Sequence, residues 1–289
     1  MNPKNKESSP REFFLTLGVH PRKSLGQSFM RDQQVLKRIC LVGEVSPQDE
    51  ILEIGAGLGA LTVFLGERAR RVIAVERDKR LLMKLKKNTS HLKNIEVVEG
   101  DFLKLNLSEI LSGEKIKVVS NLPYSISSPI LLRLLRERSY FSLIIVTLQR
   151  EVGRRTAAPP GGKERGSISV LMQTYMDVSI EFYVPPQAFW PMPKVSSVVV
   201  KLKPLSKTRV PITDEKLFEK IVRAAFSSRR KTLQNCLSNL FRKETVEETL
   251  KAVQIDGKRR AETLSVEEFG SLYRAFVTIQ PRIGTNGHE

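Results

Sequence analysis

Short runs of β-branched residues alternate with amphipathic stretches between residues 50 and 149. The apolar runs predict five strands, at 51–54, 72–76, 95–99, 117–120 and 143–148. The stretches between them predict helices at 60–68, 78–88 and 129–137. Serial strand–helix–strand units of this kind pack with right-handed crossovers. We therefore expect an α/β fold with a doubly wound, Rossmann-like sheet.

Two further strands are predicted downstream, at 178–183 and 195–203. The proline-rich segment 184–194 joins them, and a long loop at a sheet edge is often functional. Residues 157–166, Ala-Ala-Pro-Pro-Gly-Gly-Lys-Glu-Arg-Gly, predict a mobile basic loop without regular structure.

The pattern after Pro204 becomes helical and strongly basic, from about 213 to 279. Asp214, Thr245 and Ser265 are predicted helix starts. The domain organisation we predict is a flexible tail at 1–20, an α/β domain at 21–205, a small all-α C-terminal domain at 206–280 and a disordered tail at 281–289.

The chain has 289 residues and a formal net charge of +17. Such an excess attracts a polyanion, and nucleic acid is the leading candidate because Lys and Arg neutralise phosphates. A basic but idle surface is the alternative. An anionic membrane is disfavoured because no long basic amphipathic helix and no apolar run of about 18 residues occurs. The polar N-terminus lacks the apolar run of a secretion signal, which favours the cytoplasm.

A glycine-rich turn closes the first predicted strand, at Glu53-Ile54-Gly55-Ala56-Gly57-Leu58-Gly59. Glycines here let the backbone turn sharply and approach a ligand at the carboxyl edge of the sheet. The Gly-x-Gly-x-Gly spacing differs from the Gly-x-Gly-x-x-Gly of dinucleotide sites. By itself the cluster is also compatible with a simple tight turn.

Acidic residues end the next two predicted strands. Glu76 lies where an acid can bind both ribose hydroxyls of an adenosine. Asp101 can accept a hydrogen bond from an adenine amine, and Phe102 can lie against the adenine face. Either acid alone could be a solvated loop residue, but strand ends in register favour a site. No basic residue stands where a pyrophosphate would lie, so an adenosyl ligand without phosphates is expected.

Asn121-Leu122-Pro123-Tyr124 directly follows the fourth predicted strand. An exocyclic adenine amine is a poor nucleophile because its lone pair is delocalised into the ring. The Asn121 amide oxygen and a nearby backbone carbonyl can accept its two hydrogens and free that lone pair. Pro123 stiffens the turn and Tyr124 offers a face to a flipped base. An Asn-capped turn with a buried Tyr is the alternative. The motif predicts methyl transfer by positioning and electrostatics.

A second aromatic cluster lies at 189–197, within the proline-rich segment. Phe189 could form the other side of a sandwich around the target adenine, or serve as a hydrophobic plug. The scattered histidines have no metal-ligand spacing, and the two cysteines form no Cys-x-x-Cys pair. We therefore expect no metal site at the histidines (His20, His91 and His288) or at the cysteines (Cys40 and Cys236).

In combination, these residues resemble the ribosomal RNA adenine dimethyltransferase family, most closely its bacterial small-subunit branch. The resemblance runs from about residue 22 to residue 276. It is carried by the segments 22–30 (Arg-Lys-Ser-Leu-Gly-Gln-Ser-Phe-Met), 53–59, 121–124, 189–197 and 226–233 (Phe-Ser-Ser-Arg-Arg-Lys-Thr-Leu).

The resemblance implies S-adenosylmethionine-dependent dimethylation of the N6 amines of two adjacent adenosines. These would lie in the 3′-terminal hairpin of 16S ribosomal RNA, and the reaction would accompany late small-subunit assembly. The partner would be the small ribosomal subunit, and a monomer is the simplest expectation.

The resemblance also extends the candidate site. It adds Gln27, Ser28, Met30 and Asn121 to a cofactor pocket already predicted to hold Gly55, Gly57, Glu76, Asp101 and Phe102. The adenine site is expected at Asn121, Leu122, Pro123, Tyr124 and Phe189. Elsewhere Arg229-Arg230-Lys231 would be a solvated helix face, but in this family we expect it to bind RNA phosphate, together with Arg22 and Lys23.

Three positions depart from the family pattern. The family usually has Asn at Ser28, Leu at Met30 and Pro at Ala56. We expect the Ser28 hydroxyl to weaken or rearrange a cofactor contact rather than abolish it. Ala56 should make the turn slightly less rigid.

Three other functions remain open from the sequence. The nearest is an Erm-type large-subunit RNA methyltransferase, which shares the Asn-x-Pro-Tyr chemistry. The segments 22–27 and 229–233 favour the small-subunit enzyme. A non-catalytic RNA-binding assembly factor would not need Gly55, Glu76, Asp101 and Asn121 together. A nicotinamide dehydrogenase is disfavoured by the glycine spacing.

Overall fold

Seven strands form one twisted sheet in a computed structural model that describes residues 10–16, 20–22, 26–111 and 113–283. They are β2 (Glu50–Ile54), β3 (Arg71–Glu76), β4 (Ile95–Glu99), β5 (Ile116–Asn121), β6 (Phe141–Gln149), β7 (Met176–Val184) and β9 (Ser197–Pro204). The order across the sheet is β4-β3-β2-β5-β6-β9-β7. The pairings from β4 to β6 are parallel, and β9 runs antiparallel to β6. The predicted α/β class and its mainly parallel sheet are confirmed.

Two very short strands make a separate antiparallel pair. They are β1 (Phe29–Met30) and β8 (Phe189–Trp190), with Phe29 opposite Trp190 and Met30 opposite Phe189. The strand patterns predicted neither, because two-residue pairings depend on distant parts of the chain.

Helices cover the sheet and form the C-terminal part. Their ranges are α1 (Pro10–Thr16), α2 (Gln33–Val42), α3 (Ala60–Gly66), α4 (Lys79–Thr89), α5 (Leu107–Ile110), α6 (Ser127–Arg136), α7 (Arg150–Ala157), α8 (Ser167–Tyr175), α9 (Glu215–Ala225), α10 (Leu233–Leu237), α11 (Lys243–Ala252) and α12 (Val266–Ile283). Single 3-10 turns occur at Tyr124–Ile126, Arg138–Tyr140, Pro186–Ala188 and Ala261–Thr263.

Side-chain caps explain several helix starts. Asp214 accepts from the Leu217 N–H at 2.9 Å, so the predicted start of α9 is confirmed. Ser265 and Glu268 form a reciprocal capping box before α12, which confirms that start. The predicted start at Thr245 is wrong, because α11 begins at Lys243 and Thr245 is buried within it.

The described residues divide into two compact units. The α/β unit comprises the described residues up to Gly153 together with Ser179–Pro204. The helical unit comprises Arg154–Val178 and the described residues from Leu205 onward. The sequence pattern predicts a single domain over 21–205. Arg154–Val178 differs because α8 buries Val170, Leu171 and Met172 and packs on α9 and α12.

Both predicted tails are partly ordered. Helix α1 lies within the predicted tail 1–20, and its Phe14 packs against Phe29 and Trp190. Helix α12 continues to Ile283, into the predicted tail 281–289. In the first predicted tail, residues 1–9 and 17–19 lie outside the described residues, whereas residue 20 is described. In the second, residues 284–289 lie outside the described residues.

The predicted loop 157–166 contains no helix or strand after Ala157. It is nevertheless held in place, because Arg165 is only 2% exposed and donates to the Ala158 carbonyl at 2.7 Å. The Gly161 N–H also donates to the Glu262 carbonyl at 2.8 Å. The prediction of a mobile loop is therefore wrong for this segment.

In the described part of the chain, no helix is long and apolar enough to cross a membrane. The same residues contain no group of three or more His, Cys, Asp or Glu side chains placed to hold a metal ion. Cys40 and Cys236 are both free thiols and both buried.

Candidate active site

One pocket lies at the carboxyl edge of the parallel strands, within the α/β unit. Every residue predicted for the cofactor lines it: Gln27, Ser28, Met30, Gly55, Gly57, Glu76, Asp101, Phe102 and Asn121. Leu122 and Pro123 line it as well, whereas Tyr124 and Phe189 lie outside this lining. Four strand ends and the segment 26–30 therefore converge on one cavity, as expected at the switch point of an open α/β sheet.

Gly55 lies where the glycine-rich turn 53–59 approaches the turn that begins at Asn121. Its φ is +76°, and an added Cβ would meet the Pro123 ring at 3.0 Å. Its N–H donates to the Val75 carbonyl at 2.8 Å, which ties the turn to strand β3. A side chain at this position would both strain the backbone and displace the turn that begins at Asn121.

Gly26 supports the same turn from the other side. An added Cβ would lie 2.6 Å from the Ser125 backbone nitrogen and 2.9 Å from that of Tyr124. The backbone at Gly26 thus lies directly on the turn, which places the adjacent Gln27 and Ser28 at the pocket.

Glu76 orders the glycine turn as well as lining the pocket. Its carboxylate accepts from the Gly57 N–H and from the Asp78 N–H, each at 2.7 Å. Burial raises its pKa, although these backbone hydrogen bonds oppose the increase. Each carboxylate oxygen retains a second acceptor site, so Glu76 can still accept from a ligand's hydroxyls.

Asp101 and Phe102 form the far wall of the pocket. Asp101 Oδ2 lies 3.2 Å from the Arg77 guanidinium, and its Oδ1 accepts from the Leu103 N–H at 3.1 Å. The Arg133 guanidinium stacks over the Phe102 ring at 4.8 Å and also donates to the Phe102 carbonyl. Arg133 therefore holds the Phe102 ring in a fixed orientation.

Of the two polar groups of the Asn121 side chain, the amide nitrogen is hydrogen-bonded and the amide oxygen is not. Its Nδ2 donates to the Ser28 carbonyl at 3.1 Å. Its Oδ1 is buried and has no hydrogen-bond partner among the described residues. The Ser28 hydroxyl points elsewhere, because it donates to the Pro191 carbonyl at 2.9 Å. The departure at Ser28 thus connects the segment 26–30 to the loop after β8.

Tyr124 and Phe189 do not form parallel walls. Their ring centroids are 6.2 Å apart and the rings meet edge to face at 69°. Phe189 is 1% exposed and belongs to the core of the α/β unit. The predicted sandwich of two aromatic faces is therefore absent between these residues. The Tyr124 hydroxyl lies 2.6 Å from Ser197 Oγ, and burial raises its pKa to about 12.

The sequence interpretation missed the role of Asp78. Asp78 caps α4, accepts from Gln27 Nε2 at 2.8 Å and pairs with Arg80 at 2.5 Å. The hydrogen bond with Arg80 lowers its pKa to about 2. The Gln27 side chain also accepts from the Arg22 N–H at 2.7 Å. An acidic residue at the predicted start of helix 78–88 was the available signal for the cap, but not for the contact with Gln27.

Glu53 belongs to the glycine motif, but the sequence indicated no role for it. It lines the pocket at 2% exposure, and its Oε2 has no hydrogen-bond partner among the described residues. Burial raises its pKa to about 8, and the neighbouring Glu76 carboxylate also raises it. The pocket therefore contains a carboxyl group whose pKa lies well above its ordinary value.

The residues predicted to contact RNA lie in different parts of the structure. Arg229, Arg230 and Lys231 are exposed in the helical unit, in the turn between α9 and α10 rather than on a helix face. Arg22 is exposed, and its backbone N–H donates to the Gln27 side chain. Lys23 lies outside the described residues.

The pocket suits an adenosyl group without phosphates. Carboxylates stand at the ends of β3 and after β4, and Arg77 is the only Lys or Arg in the lining among the described residues. S-adenosylmethionine carries an adenosine whose ribose hydroxyls and adenine amine can donate hydrogen bonds to these carboxylates. The strand order and this pocket define an S-adenosylmethionine-dependent methyltransferase.

The comparisons with known proteins narrow the class. Residues 18–277 match the model of a family described as ribosomal RNA adenine dimethylase, and the chain belongs to this family. Its activity is therefore that of a ribosomal RNA adenine-N6,N6-dimethyltransferase.

The individual similarities are consistent with that membership. The chain is 44% identical to ribosomal RNA small subunit methyltransferase A of Geobacter metallireducens, over 91% of this chain and 98% of the relative. It is 43% identical to the protein of the same name from Bacillus cytotoxicus, over 90% of this chain and 92% of the relative. A dimethyladenosine transferase from Plasmodium falciparum has a similar structure, with a TM-score of 0.75 and 26% identity, covering 86% of this chain and 98% of that one. The 23S ribosomal RNA methyltransferase ErmE has a TM-score of 0.66 and 26% identity, with the same coverage.

Proposed function

We propose that this chain dimethylates the N6 amines of two adjacent adenosines in the 3′-terminal hairpin of 16S ribosomal RNA, late in small-subunit assembly. The relatives at 43–44% identity are named for the small subunit, which supports this substrate. We also propose that it acts as a monomer in the cytoplasm, where ribosomal subunits are assembled.

The single observation that carries the chemistry is the free amide oxygen of Asn121. The Ser28 carbonyl accepts from Nδ2 and so fixes which end of the amide faces the acceptor side. The oxygen then accepts one hydrogen of the adenine amine, and a backbone carbonyl of the turn accepts the other. The amine nitrogen becomes tetrahedral and its lone pair becomes available for attack.

S-adenosylmethionine, when bound, supplies the methyl group on a sulfonium that is already a good leaving group. The residues proposed to hold it are Gln27, Ser28, Met30, Gly55, Gly57, Glu76, Asp101, Phe102 and Asn121. They would orient the donor: Glu76 would accept from the ribose hydroxyls and Asp101 from the adenine amine of the cofactor. No general base is needed before attack, since the amine proton leaves to solvent once the nitrogen carries a positive charge.

Tyr124 is the proposed stacking face for the target base, with Leu122 and Pro123 shaping the turn. Phe189 supports Tyr124 edge to face from the core and is proposed to limit how far its ring can tilt. The exposed cations Arg229, Arg230 and Lys231 are proposed to contact RNA phosphates, and the same role is proposed for Arg22 and Lys23.

The test is methyl transfer from labelled S-adenosylmethionine to undermethylated small and large ribosomal subunits, followed by nucleoside analysis. We expect dimethyladenosine in small-subunit RNA alone, mapped to two neighbouring positions of the 3′-terminal hairpin. Product only in large-subunit RNA would favour the second candidate, an ErmE-like specificity, which the TM-score of 0.66 to that enzyme makes worth testing. Light scattering of the purified chain tests the monomer.

A further inference from the structure

The segment 191–196, which we call the acceptor loop, joins β8 to β9 and is anchored at both ends to the acceptor site. At its start the Pro191 carbonyl accepts from the Ser28 hydroxyl at 2.9 Å, and Ser28 in turn holds Asn121. Just beyond its end, Ser197 Oγ lies 2.6 Å from the Tyr124 hydroxyl. The loop therefore extends from beside one proposed adenine contact to beside the other.

The tip of the acceptor loop exposes apolar side chains. Met192 is 64% exposed and Val195 is 47% exposed, with the exposed Lys194 between them. The two residues before the loop behave differently, since Phe189 is buried and Trp190 packs against Phe14. Met192 thus contributes little to the core and is available to a partner.

The loop is also stiff, since prolines at 191 and 193 flank Met192 and each fixes its own φ near −65°. A stiff loop loses little conformational entropy when it binds. Exposed apolar groups on such a loop are suited to contact with a partner, whereas the exposed Leu41 and Met83 side chains lie on helices α2 and α4.

Methylation of an exocyclic amine requires the base to leave its stack, and this costs a few kcal/mol. Proteins that unstack bases insert apolar side chains, methionine among them, between the remaining bases. Methionine is unbranched and polarisable, so it adapts to an irregular gap. The lysine beside it can contact the phosphate of the opened step.

We propose that Met192 is a wedge that enters the gap left by the target adenine and keeps that base turned into the acceptor site. Val195 lies against the exposed face of the neighbouring base, and Lys194 contacts the adjacent phosphate. This inference rests on the proposed function only in requiring an RNA adenine as the substrate. Because Met192 lies outside the pocket lining, the wedge acts on the RNA and not on the cofactor.

The variants that test the wedge are Met192→Ala and Met192→Leu. The matched control is Met83→Ala, which shortens another exposed methionine (78% exposed) on α4. With undermethylated small subunits as substrate, we expect Met192→Ala to lower kcat by about tenfold, which corresponds to about 1.4 kcal/mol of barrier. The KM for S-adenosylmethionine should not change. Met192→Leu should recover most of the activity, and Met83→Ala should equal the wild type.

A second experiment measures base flipping in the absence of methyl transfer. The probe is a synthetic RNA hairpin with two adjacent loop adenines and 2-aminopurine on their 3′ side, mixed with enzyme and S-adenosylhomocysteine. Unstacking beside 2-aminopurine increases its fluorescence. Wild type, Met192→Leu and Met83→Ala should increase it, and Met192→Ala should give a much smaller increase at saturating enzyme.

The wedge is overturned if Met192→Ala matches Met83→Ala in both readouts, or if it loses RNA affinity while flipping at saturation is unchanged. An unchanged RNA reaction combined with loss of binding to a ribosomal protein would instead assign the loop to a protein contact. Failure of the proposed function is a different result, because the wild type itself would then transfer no methyl group to small subunits.

Discussion

The side-chain amide of Asn121 donates to the backbone carbonyl of Ser28, 3.1 Å away, and this leaves the amide oxygen without a partner among the described residues. A buried polar atom that is left unpaired is costly unless a ligand completes it. The arrangement therefore both orients the amide and reserves its oxygen for the substrate amine.

Asn121→Ala should lower kcat by at least about a hundredfold, because it removes an acceptor that acts on the reacting nitrogen. RNA affinity should stay within about threefold of the wild type, since phosphate contacts dominate affinity. Single-turnover methyl transfer and filter binding measure the two effects separately. Asn239→Ala, at an exposed position of the helical unit, is the control and should retain full activity. Full activity in Asn121→Ala would disprove the proposed acceptor role.

Asp78→Asn should destabilise the protein by about 2 kcal/mol at pH 7, because the pKa of Asp78 is lowered from 3.8 to about 2 in the folded state. A lowered carboxyl pKa contributes stability above the unfolded value, and that contribution disappears as the pH falls through about 2. The difference between wild type and variant in urea unfolding should therefore shrink between roughly pH 5 and pH 2.

The control for Asp78 is Asp177→Asn, which removes a surface ion pair with Arg209 whose side chains are 40% and 59% exposed. Exposed pairs of this kind contribute about 0–1 kcal/mol. A loss of stability in Asp78→Asn that did not depend on pH would indicate packing or the helix cap as its cause.

Glu53→Gln should stabilise the ligand-free protein at neutral and alkaline pH. The pKa of Glu53 is raised from 4.5 to about 8 by burial, so the unfolded chain ionises first and stability falls as the pH rises from 4.5 towards 8. Glutamine cannot ionise, so the variant should gain about 3 kcal/mol at pH 7 and nothing below pH 4.5. Melting temperature as a function of pH measures this gain.

Glu114→Gln, at a carboxylate that is 81% exposed, controls for the loss of a negative charge. The interpretation of Glu53 fails if the melting temperatures of wild type and Glu53→Gln run parallel from pH 4 to pH 9. The same variant should weaken S-adenosylmethionine binding only if the bound cofactor induces Glu53 to ionise.

Replacing Arg229, Arg230 and Lys231 together by Gln should weaken binding to small-subunit RNA and reduce the slope of log affinity against log salt by about two to three. Their exposed position in the turn after α9 leaves the fold unaffected. Replacing Lys84, Lys86 and Lys87 of α4 by Gln removes the same net charge elsewhere and is the control. Equal effects of the two triple variants would mean that net charge, and not this turn, attracts RNA.

Local pattern was enough to predict much of this protein. The seven sheet strands were predicted to within two residues at each end, because each is a short apolar run flanked by turn residues. The glycine turn and Asn121–Tyr124 are contiguous motifs at strand ends, and strand ends of a parallel sheet converge by geometry. Their common pocket therefore followed from the sequence.

Only the tertiary structure decided which side chains face that pocket and which support it. Phe189 is aromatic and lies in the right loop, but long-range packing turns it into the core. Arg165 lies in a Pro- and Gly-rich segment, yet its burial fixes that segment. The Ser28–Asn121 hydrogen bond joins residues 93 positions apart, and no local pattern encodes it. Pattern specifies which elements form, whereas the packing of distant segments determines burial and which polar atoms remain free for a substrate.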